Sequence, residues 1–222
     1  MTLSDRARQE WGTWLVLLLP FLFIPYLWGI LPDEIPTHWN AAGEADDYSS
    51  KAFGLLFLPI LNIVLYISMI YLVKIDPKKQ AAVDQKPVRA LRFITPFFMT
   101  AVYGFIIYKT LNPEANVVGM VMAGVGLLLA AIGNYLGTMQ PNYFIGIRTP
   151  WTLQSDAVWR ATHRMAGPIW MAGGLGLAIG VFVFPRSIFP MVFMGVVALL
   201  VLIPLVYSYL AFQQLDDARG AE

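Results

Sequence analysis

Side chains able to do chemistry are concentrated in two connectors of this sequence. Residues 142–167, NYFIGIRTPWTLQSDAVWRATHRMAG, hold Arg148, Arg160, Arg164, Trp151, Trp159 and His163. Residues 31–51, LPDEIPTHWNAAGEADDYSSK, hold the second histidine, His38, among Asp33, Glu34, Glu44, Asp46 and Asp47. His38 and these carboxylates carry the donor types of a divalent-cation site. Their spacing matches no dedicated metal loop, and a folded acidic turn in which His38 makes structural hydrogen bonds is the reading they favour. Catalysis would need a nucleophile with a partnered base and an orienting acid. Neither His38 with its acids nor His163 near Thr162 and Arg148 offers that set at a sensible spacing, so no enzyme, cofactor or metal is expected. With no cysteine in the chain, disulfides, thiol catalysis and thiolate metal sites are excluded together. Recognition is the chemistry that remains.

The elements that carry these connectors are membrane helices. Hydrophobic residues make up 58% of the 222 and charged residues only 13%, with a mean hydropathy of +0.62, outside the range of soluble domains. Apolar runs near the roughly 20 residues that a helix needs to cross hydrocarbon lie at 12–31, 52–73, 93–110, 117–137, 168–185 and 188–212. The expected fold class is therefore all-α, a polytopic bundle of six transmembrane helices. The first run is followed by Leu31-Pro32-Asp33-Glu34 and no small-residue cleavage pattern, so it reads as a retained span. With a cytoplasmic N-terminus, the inner segments hold Arg6, Arg8, Lys74, Lys78, Lys79, Lys86, Arg89, Arg92, Arg148, Arg160, Arg164 and Arg219, and the outer ones only Lys51, Lys109 and Arg186. This bias predicts both termini inside, residues 142–167 in the cytoplasm and the acidic loop outside. Net charge of +1 without a long basic run argues against direct contact with nucleic acid.

Away from their ends the spans carry no ionisable residue, which counts against pumps, proton-coupled carriers and voltage sensors. Asn62 and Asn134 are the polar exceptions, and a hydrogen bond to a neighbouring helix or a backbone carbonyl explains such an amide. Ala172, Gly176 and Gly180, and Gly133 and Gly137, recur at four-residue spacing and predict close helix approach within the bundle. Pro20, Pro25, Pro59, Pro96 and Pro204 are expected to kink spans or free carbonyls.

Within 142–167, Pro150 stops any helix before Trp151, and Ser155 is a helix N-cap followed by Asp156 in the first turn. Trp159, Thr162, His163 and Ala166 then share one face, while Arg160 and Arg164 share another and Asp156 is placed to pair with Arg160. The pattern predicts a short amphipathic interfacial helix that Gly167-Pro168 ends before span five. Two readings of it compete. Trp151 and Trp159 anchor at the headgroup boundary while Arg148, Arg160 and Arg164 hold lipid phosphates; or Arg148, Thr149 and Trp151, covered by His163, form a fixed site for a partner or for the bundle itself.

Residues 133–167, GNYLGTMQPNYFIGIRTPWTLQSDAVWRATHRMAG, resemble the signature of the SdpI family of bacterial membrane proteins. Residues 31–48, LPDEIPTHWNAAGEADDY, resemble the loop of a small membrane domain of unknown function often found upstream in the same proteins. The resemblance implies an N-terminal membrane domain over 1–110 with an extracytoplasmic loop at 32–51, and an SdpI-like domain over 111–222 with a cytoplasmic motif at 138–167. It also implies an immunity protein against a secreted antimicrobial peptide toxin, and a sensor that holds a helix-turn-helix repressor at the membrane. The partners would be that toxin, that repressor and membrane lipids. Candidate binding residues are His38, Trp39, Asn40, Gly43 and Asp46 outside, and Asn134, Asn142, Gly146, Arg148, Thr149, Trp151, Thr152, Trp159, Thr162 and His163 inside; Pro150, Leu153 and Gly167 also match the signature. A transporter or lipid-handling protein without a toxin partner is the alternative.

Overall fold

The computed structural model describes residues 3–40, 44–78 and 85–220. Six long helices dominate them: α1 Leu3–Ile30, α2 Lys51–Lys74, α3 Lys86–Leu111, α4 Val117–Leu136, α6 Asp156–Val183 and α7 Phe189–Gly220. A five-residue helix, α5 Pro150–Gln154, precedes α6, and strands β1 Glu34–Trp39 and β2 Ala45–Ser50 form an antiparallel hairpin. Each long helix contains a stretch long and apolar enough to span a bilayer. Side chains such as Leu22 and Phe182, 76% and 87% exposed, have lipid as the solvent that suits them. The chain is a multi-pass helical membrane protein, and it divides into two compact units, Met1–Met69 with Leu91–Gly124 and Ile70–Ala90 with Val125–Glu222.

In the first unit the acidic connector is the β1–β2 hairpin, a strand pair that the expectation of a purely helical chain missed. Asn40 closes it: its amide N–H donates to the Glu44 carbonyl at 2.9 Å and its side chain accepts from the Glu44 N–H at 3.0 Å. Ile35 is fully buried and points at Gly54, where a Cβ would lie 2.8 Å from that of Ile35, so α2 needs a glycine there. Lys51, the first residue of α2, pairs with Asp33 at 3.1 Å and donates to the Trp28 carbonyl. The helices of this unit also pack charge between them, just outside the runs expected at 12–31 and 93–110. Arg92 of α3 bonds Glu10 of α1 at 2.9 Å, and Tyr66 of α2 donates to the same carboxylate. Both helices extend beyond their apolar runs to include these residues. Asn62 donates to the Pro96 carbonyl and to Thr100, the helix-to-helix role expected of it.

In the second unit α4 and α6 approach backbone to backbone. A Cβ on Gly174 would lie 2.4 Å from the Gly126 carbonyl oxygen, and one on Gly133 would lie 2.5 Å from the Met171 amide nitrogen. Gly167 faces the Gly133 carbonyl in the same way. The seam thus uses Gly126 and Gly133 against Gly167 and Gly174, two turns apart on each helix. Of the four-residue series read from the sequence, the α4 pair belongs to the seam, since a Cβ on Gly167 would also lie 3.5 Å from the Gly137 amide nitrogen, but the α6 series does not: Gly176 faces open space, and Gly180 meets Phe189. This grip also overturns the expected break at Gly167-Pro168. The helix α6 runs unbroken through Pro168, because α4 holds it on both sides of the residue and outweighs the roughly 3 kcal/mol that an interior proline costs. Pro204 in α7 removes the N–H that would serve the Leu200 carbonyl; the Trp170 indole of α6 donates to that oxygen at 2.7 Å instead.

Candidate functional site

The 142–167 segment is held together by polar side chains turned onto its own backbone. Asn142 is buried, donates to the carbonyls of Gln140 and Ile145, and accepts from the amides of Phe144 and Ile145 at 2.9 and 2.6 Å. The turn that it fixes delivers Gly146 at φ +121°, a conformation that favours glycine. A Cβ at this position would also lie 2.6 Å from His163 Nε2 and 3.0 Å from the Trp159 ring. Conformation and space therefore demand glycine independently.

Behind Gly146, the Ile147 N–H donates to His163 Nε2 at 3.0 Å. An amide donor fixes that nitrogen as an acceptor, so the proton of a neutral imidazole sits on Nδ1, 2.9 Å from the Trp159 carbonyl. Both ring nitrogens are thereby engaged, and neither is left to act as a general base. The Trp159 and His163 rings stack with centroids 4.1 Å apart, and the Trp159 indole donates to the Met139 carbonyl at 2.9 Å. Val158, Trp159, Thr162, His163 and Ala166 are all buried along α6, whereas Arg160 and Arg164 are exposed. The face expected from the sequence is thus the packed face.

Thr149 and Thr152 cap α5 reciprocally: each side chain accepts from the other residue's backbone N–H, with Pro150 at the first helical position. The Thr149 hydroxyl reaches Ser208 of α7 at 3.0 Å, and the Thr152 hydroxyl donates to the Ile147 carbonyl at 2.9 Å. Trp151 is half-buried against Tyr209, with ring centroids 5.1 Å apart. Arg148 is exposed and donates to the Tyr143 carbonyl at 2.8 Å. Ser155 caps α6 by accepting from the Val158 N–H. Asp156 pairs with Lys78 at 3.5 Å, and among the described ion pairs it does not reach Arg160.

Two contributors were missed in the sequence. Asp76, almost wholly buried, accepts from the Tyr143 N–H at 2.7 Å and from the Lys78 N–H at 2.8 Å. Lys78 donates to the Leu153 carbonyl at the end of α5 at 2.7 Å. An acid before a proline, in a connector otherwise rich in Lys and Arg, was the available signal for Asp76. Ser208, a hydroxyl inside an apolar helix, was the signal for the α7 contact. Asn134 is exposed on α4 and does not join this cluster.

The outer candidates belong to the other unit. His38 Nδ1 lies 2.5 Å from Asp46 Oδ1, with both side chains exposed. Asn40 also donates to the Glu44 carboxylate at 3.1 Å. Trp39 is half-buried with its indole N–H enclosed. Among the described residues no three of the histidine and acidic side chains converge as metal ligands would. Gly43 lies outside the described residues.

With this geometry in hand, three likenesses bear on the chain. Residues 138–208 match the SdpI/YfhL protein family, a stretch that begins at the approach to the motif and ends at Ser208, the partner of Thr149. Residues 15–63, containing the hairpin, match a domain of unknown function, DUF1648. The chain is 26% identical to the Immunity protein SdpI of Bacillus subtilis (strain 168) over 209 residues, which cover 92% of this chain and 96% of that protein. No solved structure matches it. The motif and its cap partner on α7 thus lie in a stretch similar to the SdpI/YfhL protein family, and the hairpin lies in one similar to DUF1648.

Proposed function

We propose that this protein is a membrane immunity protein that protects the cell against a secreted antimicrobial peptide, with both termini in the cytoplasm. The observation that carries this reading is the end-to-end likeness to a protein named for immunity. In this reading the acidic hairpin meets the extracellular peptide. The interior of the 142–167 motif, namely Asn142, Gly146, Thr149, Thr152, Trp159, Thr162 and His163, keeps the second unit in shape. The exposed Arg148 and half-buried Trp151 are left to contact a cytoplasmic repressor, which the protein would hold at the membrane.

The test is expression in a Bacillus subtilis strain deprived of its own Immunity protein SdpI, with survival scored beside cells that secrete the cognate toxin. Survival well above an empty vector is expected. Killing equal to the vector, with the protein present in the membrane, would refute the immunity reading. For the inner surface, Arg148→Ala and Trp151→Ala should release a membrane-held repressor while expression and thermal unfolding stay close to the parent's. Loss of folding in both variants would make these two residues part of the scaffold instead.

A further inference from the structure

Asn134 is an amide on a membrane helix for which the 142–167 cluster has no use. It is exposed on α4, and its side chain bonds no other group among the described residues. Hydrocarbon offers such an amide no partner, so a polar group of another molecule is the way to satisfy it. Arg160 and Arg164 of α6 are exposed as well, and neither forms an ion pair among the described residues. The other groups that the sequence offered to lipid are already engaged: Trp159 is buried, Trp151 packs on Tyr209, and Arg148 donates to the Tyr143 carbonyl.

The seam between α4 and α6 puts Asn134 and the two arginines along one groove. Gly126 meets Gly174, Gly133 meets Gly167 and Gly137 meets Arg164, so the helices run antiparallel. At about 100° per residue, Asn134 and Gly137 are turned from Gly133 in the same sense as Arg164 and Met171 are turned from Gly167. Between antiparallel helices, equal senses of rotation fall on the same side of the seam. A Cβ on Gly137 would lie 3.8 Å from the Arg164 Cα, so this glycine forms the groove floor beside the arginine. Met171 and Leu175 on α6 and Leu127 on α4, all exposed, continue the groove towards the other end of α6. Depth agrees with this order. Arg164 and the highly exposed Phe182 are about 27 Å apart along α6, close to the roughly 30 Å of hydrocarbon. Arg164 therefore sits at one face of the hydrocarbon, with Arg160 a turn outside it at phosphate level. Asn134, beside Gly133 and so level with Gly167, lies just inside, at the depth of lipid ester groups.

We propose that this groove holds an anionic phospholipid. Arg160 and Arg164 donate to its phosphate, the Asn134 amide donates to an ester carbonyl, and the acyl chains lie along Met171, Leu175 and Leu127. Guanidinium groups pair with phosphate through charge-assisted hydrogen bonds. The headgroup is anionic and not zwitterionic because the nearest acid on α6, Asp156, pairs with Lys78 and leaves both arginines uncompensated. A choline ammonium would meet that positive charge, whereas an anionic headgroup answers it.

Native mass spectrometry of the full chain tests this, with release from micelles holding equal amounts of phosphatidylglycerol and phosphatidylcholine of the same acyl chains. The parent should retain phosphatidylglycerol in preference. Arg160→Gln combined with Arg164→Gln should cut that retention about 25-fold, or about fivefold for each charge removed. Arg186→Gln, an exposed arginine beyond the far end of α6, should change it little. Asn134→Leu should weaken retention severalfold without lowering the melting temperature of the lipid-free protein. Equal retention of the two lipids overturns the proposal, as does an equal loss from Arg186→Gln and the double variant. A lower lipid-free melting temperature in Asn134→Leu also overturns it, because the amide would then serve its own bundle. Should the double variant fail to fold, thermal unfolding of the parent decides. Added phosphatidylglycerol should raise its melting temperature more than phosphatidylcholine does, and equal shifts overturn the proposal.

Discussion

Gly146 concentrates the logic of the motif in one residue. Its positive φ and the 2.6 Å approach that a Cβ would make to His163 Nε2 leave no room for a side chain. Gly146→Ala should therefore destabilise the fold by about 1–3 kcal/mol through backbone strain, with the lost Ile147–His163 bond in addition. Thermal unfolding in detergent reads this, and an unchanged melting temperature would contradict the geometry. Asp76→Ala strips the buried acceptor from the amides of Tyr143 and Lys78, and its expected cost is about 1–3 kcal/mol. At this scale the sequence was partly legible. The Trp159, Thr162, His163 and Ala166 face followed from helical spacing, and Ser155 from capping preference. Asp76 and Ser208 did not, because their partners lie 67 and 59 residues away in the chain.

The elements divide along the same line. Six apolar helices were readable because hydrocarbon thickness fixes the length of a span. Their packing was not, because two glycine series with different spacing were both present and only backbone approach chooses between them. The structure chooses Gly126, Gly133, Gly167 and Gly174. Gly174→Leu should abolish a folded, monodisperse protein on size-exclusion chromatography, while Gly176→Leu should elute like the parent. The reverse result would move the seam to the other face of α6. The same grip explains why Pro168 lies inside a helix and not at its start. The hairpin was overlooked because β1 and β2 are short, polar and broken by a proline, so their strand character rests on Ile35 docking against Gly54.

At the scale of the whole molecule, topology is the claim that a single experiment can decide. The parent chain has no cysteine, so each variant carries one thiol at a chosen place. Asp47→Cys should react with a membrane-impermeant maleimide in intact cells, and Arg160→Cys only after permeabilisation. Labelling of Arg160→Cys in intact cells would invert the orientation drawn from the charge bias.

By itself the sequence determined the solvent of this protein, the number of its spans and the segments that set it apart, because apolar length, charge placement and motif order are local properties of the chain. The tertiary structure alone decided what those segments are for structurally. It turned most of the 142–167 side chains inward onto carbonyls and amides, left Arg148, Arg160 and Arg164 outside, and chose which glycines touch. The reason is that a buried polar group must find a partner and a helix seam must find backbone, and both partners come from parts of the chain that no local pattern connects.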